Sequence, residues 1–344
     1  MKMTESYTIA YENVSAADNI FLCLETDTGL TGYGCAAPDR AVTHETVEGT
    51  LNISRNIVIP LLHQRDPLKM TAIMENLRQE LKDRPAARAM VDMALYDLLG
   101  KIANLPLYQL LGGYRKSILT SMTIGILPME ETLALAKQHV NDGFMALKIK
   151  GGRDVELDID RVRALRKTLG GKIQLRFDAN QGYNANEALH FVKRVKDVEL
   201  ELLEQPTPRD NLQLLGAITH QASIPIMADE SLMGLKDVFR LAKKDLVDMV
   251  NIKLMKTGGI ANAVQINAVA RAAGIDGMIG CMDESALSIA AGLHFALSSP
   301  NIIYADLDGH LGLKQDPANG AVILKKGRLY PTDRPGLGFN PDIF

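Results

Sequence analysis

Charged side chains end five consecutive apolar segments in the middle of the chain. Lys150, Asp178, Glu204, Asp229 and Lys253 follow one another at intervals of 28, 26, 25 and 24 residues. Each interval is about the length of one strand followed by one helix, and the carboxyl ends of parallel barrel strands surround a common site. The regular spacing therefore predicts that these three acids and two lysines meet at one end of a barrel.

The three acids are candidate metal ligands. Asp178, Glu204 and Asp229 would converge from adjacent strands, and three carboxylates cannot remain ionised together without a cation. Oxygen ligands with no His or Cys nearby suit a hard ion such as Mg²⁺, completed by water and substrate oxygens. The alternative, that these acids cap helices or lie in solvated loops, does not account for their spacing.

The two lysines are candidate acid/base groups. Lys150 and Lys253 would lie four strands apart, which is diametrically opposite in an eight-stranded barrel. A metal ion and neighbouring cations would lower the lysine pKa and give a neutral amine. A metal-bound carboxylate has a removable α-proton, because the ion stabilises the enolate. One lysine could then remove a proton from one face and the other return a proton to the opposite face, which inverts the stereocentre.

Two further lysines lie close to this pair. Lys148 stands two residues before Lys150 in the segment FMALKIKGG, and residues i and i+2 of a strand share a face. We expect Lys148 to pair with a substrate carboxylate and to help keep Lys150 neutral. We expect Lys256 to be a surface lysine whose aliphatic stem covers apolar surface.

The elements that position these residues form a repeat. From about residue 117, a short apolar strand, a loop and an amphipathic helix alternate, which predicts parallel strand pairing and a (β/α) barrel. A doubly wound open sheet is the alternative, but the repeat is even and no glycine-rich dinucleotide turn follows the first strand. The predicted strands are 118–124, 144–150, 173–178, 199–204, 224–229, 248–253, 276–280 and 302–306.

Residues 1–112 predict a separate α+β module. FLCLETDTGLTGYGCA alternates apolar and polar residues around a glycine-containing turn, as antiparallel strands do, and 45–62 and 86–105 predict helices. The segments AVILKKGRLY and PGLGF predict a short strand pair and a loop that rejoin this module. The predicted domains are therefore 1–112, completed by about 318–344, and a barrel over 113–317.

Bulk properties exclude several classes of function. The 344 residues carry a formal net charge of −3 without a basic block, which argues against nucleic-acid binding. Three cysteines predict reduced thiols and a cytoplasmic location. The N-terminus lacks the apolar segment of a signal peptide, and no apolar run has the length of a membrane span.

Taken together, the strand-end segments resemble the enolase superfamily and its muconate-lactonizing-enzyme subgroup. The resemblance covers nearly the whole chain and implies an α+β capping domain on a (β/α)7β TIM-like barrel with Mg²⁺, in a superfamily that uses lysine or histidine bases. It implies Asp178, Glu204 and Asp229 as metal ligands and Lys150 and Lys253 as acid/base groups. The segments are KIK, RFDANQGY, LLEQP, IMADES, NIKLMKTGG and IGCMDES in the barrel, and AARAMVDMALYDLLG and LPLYQLLGGY in the cap.

A pair of aspartates discriminates within the subgroup. Asp306 and Asp308 end the eighth strand in ADLDG, and two carboxylates facing one point suit an ammonium group. The motif is similar to that of the dipeptide epimerases, where it holds the free α-amino group. Cycloisomerase and o-succinylbenzoate synthase substrates have no such amine. The resemblance further implies that Thr123 and Lys148 contact the substrate carboxylate and that Cys281 lines the dipeptide.

Side-chain specificity is expected in the cap loops around 10–18 and 37–46. The epimerases that act on Ala-Glu dipeptides carry an arginine in the first loop, as the resemblance suggests, whereas this chain has Glu12. A glutamate would repel an acidic substrate side chain, and Asp283 after the seventh strand adds a second negative group. We therefore expect a neutral or cationic second residue.

These observations predict an isomerase, a Mg²⁺-dependent dipeptide epimerase in which Lys253 is the base for an L,L-dipeptide and Lys150 protonates the other face. The alternatives are an N-acylamino-acid racemase, an o-succinylbenzoate synthase or a muconate cycloisomerase on the same scaffold, a Schiff-base lyase, and a non-catalytic binding barrel. A homo-oligomer is expected by analogy. His294 and His310 are expected to be structural.

Overall fold

A computed structural model describes residues 1–10 and 12–339 of the chain. Its N-terminal part contains two antiparallel strand pairs, and the second pair is the predicted hairpin. Five helices follow, with a π-helical turn at Ser54–Val58 between the first two. The strands are β1 (Lys2–Thr8), β2 (Asn13–Ala16), β3 (Ile20–Glu25) and β4 (Thr31–Ala36), and the helices are α1 (Val47–Ile53), α2 (Ile59–Leu62), α3 (Met70–Glu80), α4 (Pro85–Ala103) and α5 (Leu107–Leu110).

Helix α4 forms the core of this part. It begins with a proline, whose missing N–H costs nothing in the first turn, and its C-cap Asn104 adopts the left-handed conformation. The helix packs directly on β4 because Gly34 has no side chain. A Cβ there would lie 1.8 Å from the carbonyl oxygen of Met90.

Eight parallel strands form the barrel that the sequence predicts. Neighbours in the chain are neighbours in the sheet, and the first and last strands meet where Ser121 N donates to Ala305 O at 3.0 Å. After β5 (Ile118–Leu119), the barrel strands are β6 (Met122–Ile124), β7 (Ala146–Lys150), β8 (Gln174–Asp178), β9 (Leu203–Glu204), β10 (Ile226–Ala228), β11 (Met249–Lys253), β12 (Asp276–Gly280) and β13 (Ile302–Asp306).

Helices cover the outside of the barrel strands. No helix in the described part of the chain combines the length and apolar character needed to cross a membrane. The helices are α6 (Met129–Asn141), α7 (Val155–Leu169), α8 (Ala185–Arg194), α9 (Leu212–Thr219), α10 (Leu235–Lys243), α11 (Leu254–Thr257), α12 (Ile260–Ala272) and α13 (Ala286–Ser298), with a 3₁₀ turn at Lys196–Val198.

The prediction of one strand over 118–124 is wrong. The segment splits at Thr120, whose N–H donates to Gly327 O at 3.0 Å, so β5 lies outside the barrel. β5 pairs antiparallel with β15 (Arg328–Pro331), which pairs with β14 (Val322–Lys325) in the predicted tail hairpin. An alternating pattern looks the same in either sheet, so the sequence could not separate the two pieces.

The end of the described chain returns to the N-terminal part. Gly336 N donates to Leu105 O at 3.0 Å, and Leu107 N donates to Gly336 O at 2.8 Å. The Phe339 ring meets Tyr33 edge-on with centroids 5.0 Å apart. The PGLGF loop therefore rejoins the first module, whereas the strand pair that precedes it extends β5.

A buried aspartate joins the cap to the barrel. Asp92 on α4 is fully buried, and its carboxylate accepts from the backbone N–H groups of Ile260 and Ala261 at the start of α12. N–H groups in the first turn of a helix have no acceptor within the helix itself. Asp92 therefore caps a barrel helix from the cap domain.

Removing the Asp92 carboxylate from the start of α12 should destabilise the protein. We expect Asp92→Ala to lower the free energy of unfolding by about 1–3 kcal/mol, because buried N–H groups lose their acceptor. Urea denaturation followed by circular dichroism measures this. Asp210→Ala is the control, since the Asp210 side chain is 96% exposed. A change for Asp92→Ala no larger than that of the control would contradict the capping role.

Candidate active site

The strand register brings the three predicted metal ligands together. Lys150 and Asp178 are register partners on β7 and β8, and Asp178 and Glu204 are partners on β8 and β9. Asp229 follows β10 directly. One carboxylate oxygen from each of Asp178, Glu204 and Asp229 lies within 4.8 Å of the others, and all three residues are buried.

The donor set of this acidic triad (Asp178, Glu204 and Asp229) fits a hard divalent cation. Three carboxylate oxygens without a nitrogen or sulfur ligand are the donors that Mg²⁺ prefers. Two more buried oxygens nearby, Glu230 Oε2 and Asn180 Oδ1, have no hydrogen-bond partner within the described residues. Such oxygens are typical of a site that water or an ion completes.

The two predicted acid/base lysines contact opposite members of the triad. Lys150 Nζ lies 2.7 Å from Asp178 Oδ2, and Lys253 Nζ lies 2.8 Å from Asp229 Oδ2. Their strands, β7 and β11, are four apart in the eight-stranded sheet. The amines therefore approach the triad from opposite sides of the barrel.

Lys148 lies below Lys150 inside the barrel. Its ammonium contacts three carboxylate oxygens, at 3.1 Å in Asp178, 2.8 Å in Glu204 and 2.9 Å in Asp306. Its side chain is 2% exposed. Lys148 thus offsets the charge of two members of the acidic triad and of Asp306. Its expected contact with a substrate carboxylate stays a prediction.

Burial and neighbouring charges raise the pKa values of an acid and of a lysine in this cluster. Burial and the neighbouring Asp178 raise the pKa of Glu204 to about 7. Burial would lower the pKa of Lys253, but the Asp229 and Glu204 carboxylates outweigh it and raise the pKa. The predicted lowering of the lysine pKa concerns a site that holds a divalent ion, and it stays a prediction.

The Asp-x-Asp pair ends β13 beside this cluster. Asp306 accepts from Ser121 Oγ at 2.6 Å and from Lys148 Nζ at 2.9 Å. Burial alone would raise the pKa of Asp306, but the Lys148 ammonium lowers it to about 2. Asp308 Oδ2 accepts from Thr123 N at 2.6 Å. Burial and the charge of Asp306 raise the pKa of Asp308 to about 6.

A cleft of about 1420 Å³ lies above these residues, between the cap loops and the barrel mouth. Glu12 is exposed at its edge, and Cys281 is half-buried in its wall. Burial raises the pKa of the Cys281 thiol, which suits a wall residue better than a nucleophile. Tyr11, in the first specificity loop, lies outside the described residues.

Asp283 faces the same cleft and is held by the cap. Tyr7 Oη donates to Asp283 Oδ2 at 2.8 Å, and Asn19 Nδ2 donates to the Asp283 carbonyl oxygen at 3.2 Å. Burial raises the pKa of Asp283, while the ammonium groups of Lys150 and Lys253 oppose that rise. The carboxylate therefore lies within the electrostatic reach of both lysines.

Comparisons with known proteins agree with this geometry. Residues 1–112 match the family described as "Mandelate racemase / muconate lactonizing enzyme, N-terminal domain", and residues 131–343 match "Enolase C-terminal domain-like". The chain belongs to the enolase superfamily, in the muconate-lactonizing-enzyme subgroup. Its relatives are epimerases and racemases, so the chain is an enzyme of the isomerase class, as predicted.

Several relatives in this subgroup are dipeptide epimerases. The chain is 43% identical to the L-Lys-D/L-Arg epimerase of Desulforapulum autotrophicum over 98% of its own length and 96% of the relative. It is 41% identical to the hydrophobic dipeptide epimerase of Enterococcus faecalis over 99% and 96%. The Methylococcus capsulatus dipeptide epimerase, solved with Mg and L-Arg-D-Lys, superposes with a TM-score of 0.94 at 43% identity, covering 98% and 96% of the two chains.

The prediction of a surface position for Lys256 is wrong. The side chain of Lys256 is fully buried, and its ammonium contacts Asp229. Lys256 lies three residues after Lys253, on the single turn of α11 that follows β11. Lys253 ends β11 in an extended conformation, whereas Lys256 lies on α11, so neither strand nor helix periodicity relates the two lysines and no local pattern indicated this contact.

Sequence reasoning also missed an asparagine on β11. Asn251 Nδ2 donates to Glu204 Oε1 at 2.7 Å. Gly280 on the neighbouring strand leaves room for it, since a Cβ there would lie 2.4 Å from Asn251 Oδ1. Strand alternation contained the signal, because Asn251 is two residues before Lys253 and shares its face.

The predicted structural role of His294 agrees with its surroundings. The residue is fully buried on α13, and its Nδ1 accepts from the backbone N–H of Tyr108 at 3.0 Å. Burial lowers the pKa of His294 to about 4. His310 is half-buried, and burial lowers its pKa to about 4 as well.

Lys148 should contribute strongly to stability. We expect Lys148→Met to lower the free energy of unfolding by about 3–5 kcal/mol in EDTA, because buried carboxylates lose their cation. Urea denaturation measures the change. Arg163→Met is the control, since the Arg163–Asp197 pair at 3.2 Å is exposed and should contribute at most about 1 kcal/mol. Equal losses in both variants would refute a special role for Lys148.

Proposed function

We propose that the protein is a Mg²⁺-dependent dipeptide epimerase that inverts the α-carbon of the C-terminal residue of an L,L-dipeptide. One observation carries the proposal. Two lysines, Lys150 and Lys253, contact opposite members of the acidic triad from strands four apart. A carbon atom held between two amines can lose a proton on one side and gain one on the other.

The acid/base roles follow from this arrangement. Lys253 removes the α-proton of the L-residue, and Lys150 delivers a proton to the opposite face. Mg²⁺ held by Asp178, Glu204 and Asp229 would supply Lewis acidity, which stabilises the negative charge on the substrate carboxylate as the proton leaves. In the reverse direction, from the D-residue, the two lysines exchange roles.

The aspartate pair of β13 supports a dipeptide over an N-acylated substrate. Asp308 and Asp306 lie on the cleft wall beside the lysines, where their carboxylates would bind the α-ammonium group of a free N-terminus. Thr123 and Lys148 contact these aspartates directly, and their contact with the substrate carboxylate stays a prediction. An N-acylamino acid or o-succinylbenzoate precursor has no ammonium group to offset these charges.

Negative charge on the cleft wall supports a cationic second residue. Glu12, Asp39 and Asp283 line the cleft outside the metal site, and Arg40 is the one arginine among the cleft residues that the structure describes. An acidic substrate side chain would be repelled there. Identity does not decide this point, because relatives named for cationic and for hydrophobic dipeptides are 43% and 41% identical.

The decisive experiment is ¹H NMR in D₂O with Mg²⁺ and a library of L,L-dipeptides. We expect loss of the α-proton signal of the C-terminal residue, fastest for L-Ala-L-Lys or L-Ala-L-Arg and slowest for L-Ala-L-Glu. EDTA should stop the exchange. Full activity in EDTA with trapping by borohydride would instead indicate a Schiff-base lyase, and faster turnover of N-succinyl-L-lysine would indicate a racemase. No exchange with any substrate would indicate a binding barrel.

The variants of the two lysines should differ in which dipeptide epimer still exchanges its α-proton. Lys150→Met and Lys253→Met should each lower epimerisation by about 10³-fold or more. Lys150→Met should still exchange the α-proton of the L,L-dipeptide without inversion, because Lys253 remains on that face. Lys253→Met should exchange only the L,D-dipeptide. If both variants behaved alike on the two epimers, the two-face arrangement would be refuted.

Asp283 should select the charge of the second residue. We expect Asp283→Asn to lower kcat/KM for L-Ala-L-Lys about tenfold, because one charged partner is lost, and to change kcat/KM for L-Ala-L-Met less than threefold. Steady-state polarimetry gives both values. Asp210→Asn, which changes an exposed carboxylate, is the matched control. An equal loss with both dipeptides would show that Asp283 does not discriminate charge.

A further inference from the structure

Each carboxylate of the acidic triad is held at one oxygen and contacted by an ammonium at the other. Asp178 Oδ1 accepts from Asn180 N at 2.9 Å, while its Oδ2 contacts Lys150. Glu204 Oε1 accepts from Asn251 Nδ2 at 2.7 Å, while its Oε2 contacts Lys148. The first oxygen of these two ligands is thus fixed by a neutral N–H donor on a strand or the adjoining loop.

Asp229 follows the same pattern with a different donor. Its Oδ2 contacts Lys253 at 2.8 Å, and its Oδ1 contacts the ammonium of Lys256. The Lys256 ammonium also donates to the Asp229 carbonyl oxygen and, at 3.4 Å, to the Asn251 carbonyl oxygen. Lys256 is therefore bound to both the side chain and the backbone of this ligand.

The position of Lys256 is fixed by its surroundings. Its side chain is fully buried and is not among the residues that line the cleft. It leaves the single turn of α11, which packs against α4 of the cap, where Ala37 N also donates to Met255 Sδ at 3.3 Å. Lys256 can neither reach a substrate nor turn towards solvent without moving this turn.

We propose that Lys256 is a positioning residue that fixes Asp229 Oδ1 and leaves Oδ2, the oxygen that contacts Lys253, available to the ion. The inference rests on the proposed function, because it assigns Mg²⁺ to the acidic triad. Asp229 lies one residue beyond the end of β10, where no strand neighbour supplies a side-chain amide in the described contacts. The Lys256 ammonium binds both the carboxylate and the carbonyl oxygen of Asp229. It therefore takes the place of a side-chain amide and prevents rotation of the Asp229 carboxylate.

Isothermal titration of the full-length protein with MgCl₂ alone, without a dipeptide, tests this role. Lys256→Met keeps the length of the side chain and removes the donor. We expect the dissociation constant for Mg²⁺ to rise about tenfold or more, as is usual when a hydrogen-bond partner of a metal ligand is removed. Lys256→Arg, which keeps a cationic donor, should recover part of the affinity.

Lys101→Met is the matched control. Lys101 pairs with the buried Asp97 of the cap at 2.7 Å, so its loss also leaves a carboxylate without an ammonium, but far from the triad along the chain. We expect Lys101→Met to lower the thermal midpoint and to leave the Mg²⁺ dissociation constant within twofold of the wild-type value. A purely structural role of Lys256 would give the same result in both variants and would overturn the proposal.

A crystal structure of the wild-type protein with Mg²⁺ tests the proposal even if Lys256→Met fails to fold. Lys256 should remain on Asp229 Oδ1 while the ion contacts Oδ2. An ion on Oδ1, or Lys256 displaced from Asp229, would overturn the positioning role. Failure of the proposed function looks different, because the wild-type protein would then bind no Mg²⁺ or exchange no dipeptide proton while these contacts persisted.

Discussion

The protein depends on the mutual neutralisation of carboxylates and lysines inside the mouth of one barrel. Asp178, Glu204 and Asp229 are buried there with Asp306, and removing such charges from water is costly unless opposite charges lie close by. Lys148 meets three of these four carboxylates at 2.8 to 3.1 Å, and the other lysines pair at the edges of the cluster. Each of these charges would be unfavourable alone, but together they form a compact cluster whose three triad carboxylates could hold a divalent ion.

The cap contributes the outer wall of the cleft, whereas the acidic triad and the lysines belong to the barrel. Tyr7 and Asn19 hold the barrel residue Asp283 from the cap side, and Asp92 ties α4 to the start of α12. The cleft is therefore closed by cap segments that are fixed to the barrel at several points. The wall of the cleft and the acidic triad are thus built from different segments, and relatives of this chain are named for several different dipeptides.

Much of the fold could be predicted because each signal is local. Two barrel strands, 276–280 and 302–306, have the predicted bounds, and all eight predicted segments contain a barrel strand. The errors arise where pairing decides the outcome. The segment 118–124 serves two sheets, and 199–204 contributes only its last two residues, since Glu199 adopts a left-handed conformation after a 3₁₀ turn. Neither event changes the apolar pattern that the prediction uses.

The sequence by itself determined the identity of the strand-end residues, since a period of two fixes which side chains share a face and a regular interval fixes which strands are neighbours. The placement of Lys150, Asp178 and Glu204 at neighbouring strand ends could be predicted from this spacing. Only the tertiary structure decided which oxygen meets which ammonium, that Lys256 turns inward, and that Tyr7 meets Asp283 across 276 residues of chain. These contacts depend on closure of the ring and on docking of the cap, which bring together residues that no local pattern relates.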